Sequence, residues 1–194
     1  AAVVSCLPDH AVIVSTTGHI SRELYEWRES TGQGHDHDFL TVGSMGHASQ
    51  IAMGIALNRP EHPVVCLDGD GAVLMHMGAL AIAGTTGLSN FHHVLLNNGV
   101  HDSVGGQKTA GFDVDFLQIA QACAYRTVAR ADNAECIQTV FRQMLTQQGP
   151  AFLEIRVAPG ARKNLGRPTT TPQQNKQAFM QFVRSHDKVE GMNA

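Results

Sequence analysis

Apolar residues in this chain fall into short runs, separated by longer stretches in which they recur at helical spacing. The runs at 11–15, 39–42, 64–67, 93–96, 127–129 and 152–157 predict strands. Residues 47–58 and 132–148 predict helices. They end at Arg59-Pro60 and Gly149-Pro150, where proline cannot continue the hydrogen-bond ladder. Asp132 is the expected N-cap of the second. Residues 113–124 place Phe116, Leu117, Ile119, Ala120 and Cys123 on one helical stripe that would pack on a sheet. The alternation predicts an α/β fold, a mostly parallel six-stranded sheet with helices on both faces. Ligands of such sheets gather at strand carboxyl ends, beside a switch in strand order.

After Val157 the pattern changes. Residues 158–168 are rich in glycine, proline and cations, and Thr169-Thr170-Thr171-Pro172 follows. The expected division is a domain over 1–157, then an extended segment and a last helix within 158–194. That helix, at 172–184, has Phe179, Phe182 and Val183 as its apolar side, for docking on this domain or on a partner. Arg162, Lys163 and Arg167 read either as a solvated basic loop or as contacts for a substrate anion.

Composition narrows the possibilities. With 194 residues, 43% of them hydrophobic, the chain can bury a substantial core. Fourteen basic residues against 17 acidic ones form no basic stripe, so nucleic acid is not an expected partner. No apolar run has the length of a membrane span and no charged-then-apolar leader opens the chain, so the expectation is a soluble, cytoplasmic protein. Cys6, Cys66, Cys123 and Cys136 contain no Cys-x-x-Cys pair and are expected as buried, reduced thiols. His35-Asp36-His37-Asp38 lacks a third ligand at helical spacing, and no metal site is expected there.

The chemistry concentrates in two motifs, Gly69-Asp70-Gly71 and Asn97-Asn98, with residues 72–96 between them. The first follows the 64–67 strand, a helix is expected at 73–86, and the second ends the next strand. Such a helix climbs roughly 20 Å at ~1.5 Å per residue, about the length of a six-residue strand. The second strand then starts level with the first, and Asp70 and Asn98 share an edge. A carboxylate, an amide oxygen and a nearby main-chain carbonyl form a hard, incomplete oxygen shell. Mg2+ suits such a shell, completed by water and phosphate oxygens.

These motifs at this spacing resemble those of the thiamine-diphosphate enzymes. The segments 39–47, 68–77, 97–107 and 165–172 extend the likeness over nearly the whole chain, and within the family they are similar to phosphonopyruvate decarboxylases. Sulfopyruvate decarboxylases are near relatives, and His101-Asp102-Ser103 tilts the comparison to the phosphonate branch. The resemblance implies two cofactors, thiamine diphosphate and Mg2+, with Asp70, Asn98 and the Val100 carbonyl as metal ligands. Gly69, Gly71 and Ala72 would meet the diphosphate, the last two through backbone N–H groups at a helix start. Thr16, Thr17 and Gly18 either help to hold the same phosphates or form a simple strand-end turn. In the turn Gly43-Ser44-Met45-Gly46, Met45 would lie under the thiazolium ring and the Gly43 carbonyl would accept a hydrogen bond from the aminopyrimidine.

The implied reaction is non-oxidative decarboxylation of a small 2-oxo acid, 3-phosphonopyruvate giving phosphonoacetaldehyde and CO2, with the cofactor ring accepting the electrons left behind. His101, Asp102 and His19 are candidates for moving protons. Gly105-Gly106-Gln107 reads either as a loop that orders over the cofactor or as a surface turn. An activating glutamate would come from a pyrimidine-binding domain or subunit for which this sequence has no room. The chain is therefore expected to be a fragment of a longer enzyme or a separate subunit, and to form a homo-oligomer around a two-fold axis. A sulfopyruvate decarboxylase beta subunit or an acetolactate-forming carboligase would share every cofactor residue. A domain that keeps the cradle without chemistry is the non-enzymatic alternative.

Overall fold

The computed structural model describes residues 1–185, so the last part of the expected 158–194 segment lies outside the described residues. The strands are β1 (Val12–Ser15), β2 (Asp38–Leu40), β3 (Val64–Gly69), β4 (Phe91–Asn97), the short pair β5 (Val100–His101) and β6 (Gln107–Lys108), β7 (Thr127–Ala131) and β8 (Ala151–Arg156). All but β5 and β6 form one six-stranded parallel sheet in the order β2-β1-β3-β4-β8-β7. The helices are α1 (His19–Thr31), α2 (Ala48–Asn58), α3 (Asp70–Met75), α4 (Gly78–Thr85), α5 (Phe116–Ala122), α6 (Ala134–Thr146) and α7 (Pro172–Ser185).

Central strands are buried on both sides, as a covered parallel sheet requires. Val12, Val14, Val64, Cys66, Phe91 and Leu95 pack under α2, α4, α5 and α7. The alternate positions Ile13, Val65, Leu67 and Val94 pack under α1 and α6. Strand order reverses at β1, which pairs with β2 on one side and β3 on the other. The loops after β1 and β3 flank the crevice that such a reversal opens.

Several local expectations are corrected. The helix expected at 73–86 begins earlier, at Asp70, and breaks at His76-Met77 before Gly78. His76 leaves helical geometry there, with φ −135° and ψ 47°, and its ring packs against His47 at 4.2 Å. Asp132 is not the cap of α6: Asn133 is, its side chain accepting the Cys136 N–H at 2.9 Å. The 39–42 strand stops at Leu40, and Val42 is 71% exposed. Of the four free cysteines only Cys66 is buried. In the His35–Asp38 stretch, His35 stacks on Tyr25 at 4.0 Å, and Asp38 forms a buried bidentate pair with Arg28 at 2.8 and 2.9 Å. Among the described residues, no helix is long and apolar enough to cross a membrane.

The last helix docks on this domain. Phe179 and Val183 join the core beside Phe39. Asn175 reaches the open edge of β2, where its Nδ2 donates to the Asp38 carbonyl at 2.8 Å and its Oδ1 accepts the Leu40 N–H at 3.0 Å. One amide side chain thus takes the place of a neighbouring strand.

Candidate active site

β3 and β4 are adjacent and in register, Gly69 opposite Leu96, so Asp70 and Asn98 emerge side by side from the same edge of the sheet. The Asn98 N–H lies 3.4 Å from Asp70 Oδ1, and Thr109 Oγ1 donates to Asp70 Oδ2. Asp70 is 2% exposed, and no basic side chain pairs with it among the described residues. A buried carboxylate without a cation is costly, so this position calls for one.

The two asparagines have different tasks. Asn97 is wholly buried. It donates to the Gly111 carbonyl at 2.7 Å and to Glu154 Oε1 at 2.8 Å, and accepts the Gly99 N–H at 3.2 Å. It shapes the turn. Asn98 stays at the edge, its Oδ1 accepting the Val100 N–H at 3.1 Å and its Nδ2 donating to Asp102 Oδ2 at 2.7 Å.

A cavity of about 600 Å³ opens over these strand tips. It brings together Thr16 and Thr17 after β1, His19 at the start of α1, Met45, the run Gly69 to Ala72, and Asn98, Val100, His101 and Asp102. Gly18, Gly43 and Ser44 do not line it. Gly43 is nevertheless tied to the rim, its N–H donating to Thr17 Oγ1 at 3.2 Å, and Gly18 lies against Ser103. Three buried polar atoms in the lining, Thr16 Oγ1, His19 Nδ1 and Trp27 Nε1, have no hydrogen-bond partner. The first N–H groups of α3 face no helical acceptor either. Gly71 is required because the His101 ring occupies the space a Cβ would need. A cation-seeking carboxylate beside unpaired donors and a helix start fits a metal-bound diphosphate.

Sequence reasoning missed Thr109 and Gly111. Both follow the β5–β6 hairpin, well after the asparagines, and a side chain at Gly111 would strike Asp70 and Asn97. The Gly105-Gly106-Gln107 stretch forms the turn and second strand of that hairpin. Arg162 is already engaged, paired with Glu23 at 3.0 Å and Glu26 at 2.5 Å. These contacts raise its pKa, the Glu23 hydrogen bond most.

The sheet order and the edge it presents define a cofactor-binding α/β domain, and comparison with known proteins specifies which. Residues 16–155 match the thiamine pyrophosphate enzyme C-terminal TPP binding domain, and the chain belongs to that family. It is 42% identical over 91% of its length to a phosphonopyruvate decarboxylase of Streptomyces viridochromogenes, spanning 43% of that relative. It is 36% identical to the sulfopyruvate decarboxylase subunit beta of Methanothermobacter thermautotrophicus, over 81% of this chain and 79% of that subunit. The thiamine diphosphate-dependent 4-hydroxybenzoylformate decarboxylase of Rhodococcus jostii RHA1 shares the fold. Its TM-score is 0.63 at 21% identity, over 82% of this chain and 32% of that one.

Proposed function

We propose that this chain supplies the diphosphate and Mg2+ half of a thiamine-diphosphate-dependent decarboxylase acting on a 2-oxo acid, with 3-phosphonopyruvate as substrate. The observation that carries the reading is the buried Asp70 beside Asn98 at adjacent strand tips, with no basic partner among the described residues. Likeness to the phosphonopyruvate decarboxylases supports the substrate.

In this reading Asp70, the Asn98 amide oxygen and the Val100 carbonyl hold Mg2+. Gly71 and Ala72 offer backbone N–H groups to the diphosphate, and Thr16 and His19 offer the unpaired atoms of the opposite wall. Met45 supports the ring from below, and the Gly43 carbonyl orients the aminopyrimidine. Bound there, thiamine diphosphate supplies the sink for electrons left by departing CO2. His101, held over Gly71, and His19 are placed to donate and accept protons at the cavity wall. Walls of Ile20, Leu67 and Leu96 keep that end of the cavity apolar and limit water.

The division of labour is also proposed. Residues 1–157 form the diphosphate-binding domain, and the segment from 158 follows it as a strap and a docking helix. A pyrimidine-binding domain or subunit supplies the activating glutamate, within a homo-oligomer in the cytoplasm. The exposed Val42, Met75 and Val104, next in sequence to cavity residues or close to them, give that partner an apolar contact. A separate beta subunit acting on sulfopyruvate is the second reading, favoured by the match over most of such a subunit.

The test is product analysis with phosphonopyruvate, sulfopyruvate and pyruvate, using the chain assembled with its pyrimidine-binding partner. CO2 and phosphonoacetaldehyde from the first, with little turnover of the others, is expected. Preferred turnover of sulfopyruvate, or acetolactate formed from pyruvate, would overturn the substrate assignment. No turnover of any of them would overturn the enzymatic reading.

A further inference from the structure

Asp102 stands where the metal edge of the cavity meets the segment that follows β8. Its Oδ2 accepts two hydrogen bonds at 2.7 Å, one from Asn98 Nδ2 and one from the Gly160 N–H. A carboxylate facing a donor can only accept, so it decides which end of the Asn98 amide turns toward it. The nitrogen faces Asp102, and Oδ1 remains the acceptor end. With the amide reversed, its NH2 group would face the cation.

The second bond leads away from the cavity. From Gly160 the chain runs across α1 as a strap. Arg162 pairs with Glu23 and Glu26, Arg22 donates to the carbonyls of Leu165 and Gly166, and the Gly166 N–H donates to Glu26. Leu165 is buried at 7% exposure. Ala158, Gly160 and Arg162 line the cavity, so the strap forms part of its wall.

We infer that Asp102 is a positioning residue that couples loading of the metal through Asn98 to closure of the 158–166 strap. The inference rests on the Mg2+ and thiamine diphosphate reading above. A cation on Asn98 Oδ1 polarises the amide and strengthens its bond to Asp102. The carboxylate, held in place, then offers Gly160 a fixed acceptor. Such coupling is reciprocal, so a closed strap raises metal affinity by the same factor. The same contacts turn Asp102 from a proton carrier into an orienting group.

Trypsin reads the strap directly, because Arg162 and Lys163 lie within it and are exposed. In the assembled enzyme, Mg2+ with thiamine diphosphate is expected to slow cleavage there about 10-fold. Asp102→Ala is expected to be cut at one rapid rate with or without Mg2+, and to bind Mg2+ roughly 10–100-fold more weakly by calorimetry. Asp102→Asn, whose single amide oxygen can accept both bonds, is expected to restore both properties. An Asp102→Ala protein that keeps its Mg2+ affinity and the full metal-dependent protection would overturn the inference, even if its strap were cut faster throughout. Wild-type enzyme that takes up no Mg2+ and thiamine diphosphate would overturn the parent reading and this one together. Uptake by the wild type with unchanged behaviour of the variant would overturn this one alone.

Discussion

At the level of single residues, the site is built from side chains whose neighbours leave them one orientation. Asn97 and Asn98 are adjacent in sequence, yet one is spent on the turn and the other faces the edge. The motif was legible in the sequence because its residues are close together and chemically distinctive. Thr109 and Gly111 were not, since a threonine and a glycine past a hairpin carry no local signal until the chain folds back on Asp70.

Another residue sets a pH dependence. His92, on β4, is buried against Phe141 with its Nδ1 unpartnered, and desolvation lowers its pKa from 6.5 to about 4. Well above pH 6.5 neither the folded nor the unfolded chain protonates it appreciably. Between pH 6.5 and about 4 the unfolded chain binds a proton that the folded chain excludes, so stability falls as pH falls through that window. The slope contributed is up to about 1.4 kcal/mol per pH unit. Urea unfolding of wild type and His92→Leu at several pH values is expected to show the variant losing less stability toward pH 4.5. Equal losses would refute the assignment.

At the level of elements, the sheet was legible because β1, β3, β4 and β8 are near-continuous apolar runs. Helix α1 was not assigned from sequence. It carries arginine, glutamate and serine around a narrow stripe of Ile20, Leu24, Tyr25 and Trp27, and Arg28 is buried only because Asp38 waits on β2. The extent of β2 and the place where α7 docks depend on each other in the same way, through Asn175. Replacing Asn175 with alanine leaves a buried N–H and carbonyl on β2 without their partner, at about 1–3 kcal/mol for each group. Thermal or urea unfolding of Asn175→Ala is expected to show a loss in that range or up to its sum. A loss within error would mean that the apolar packing of α7, with Phe179, Phe182 and Val183, holds it without the Asn175 bonds.

At the level of the whole molecule, order reversal at β1 opens a crevice between the loops after β1 and β3, and every motif with chemistry in it converges there. The α/β class and the shared edge followed from alternation and spacing. The strap's route over α1 did not, because its anchors are bonds between side chains and backbone that are 58 to 144 residues apart in the chain. In the function proposed above, Asp70 and Asn98 hold the cation that in turn holds the diphosphate. Calorimetric titration of thiamine diphosphate into the assembled enzyme, with Mg2+ and after chelation, for wild type and Asp70→Ala, tests it most directly. Saturable binding that requires Mg2+ is expected, with a loss in Asp70→Ala greater than the roughly 10–100-fold typical of removing a group that only orients a metal ligand. Equally tight binding after chelation, or in Asp70→Ala, would contradict it.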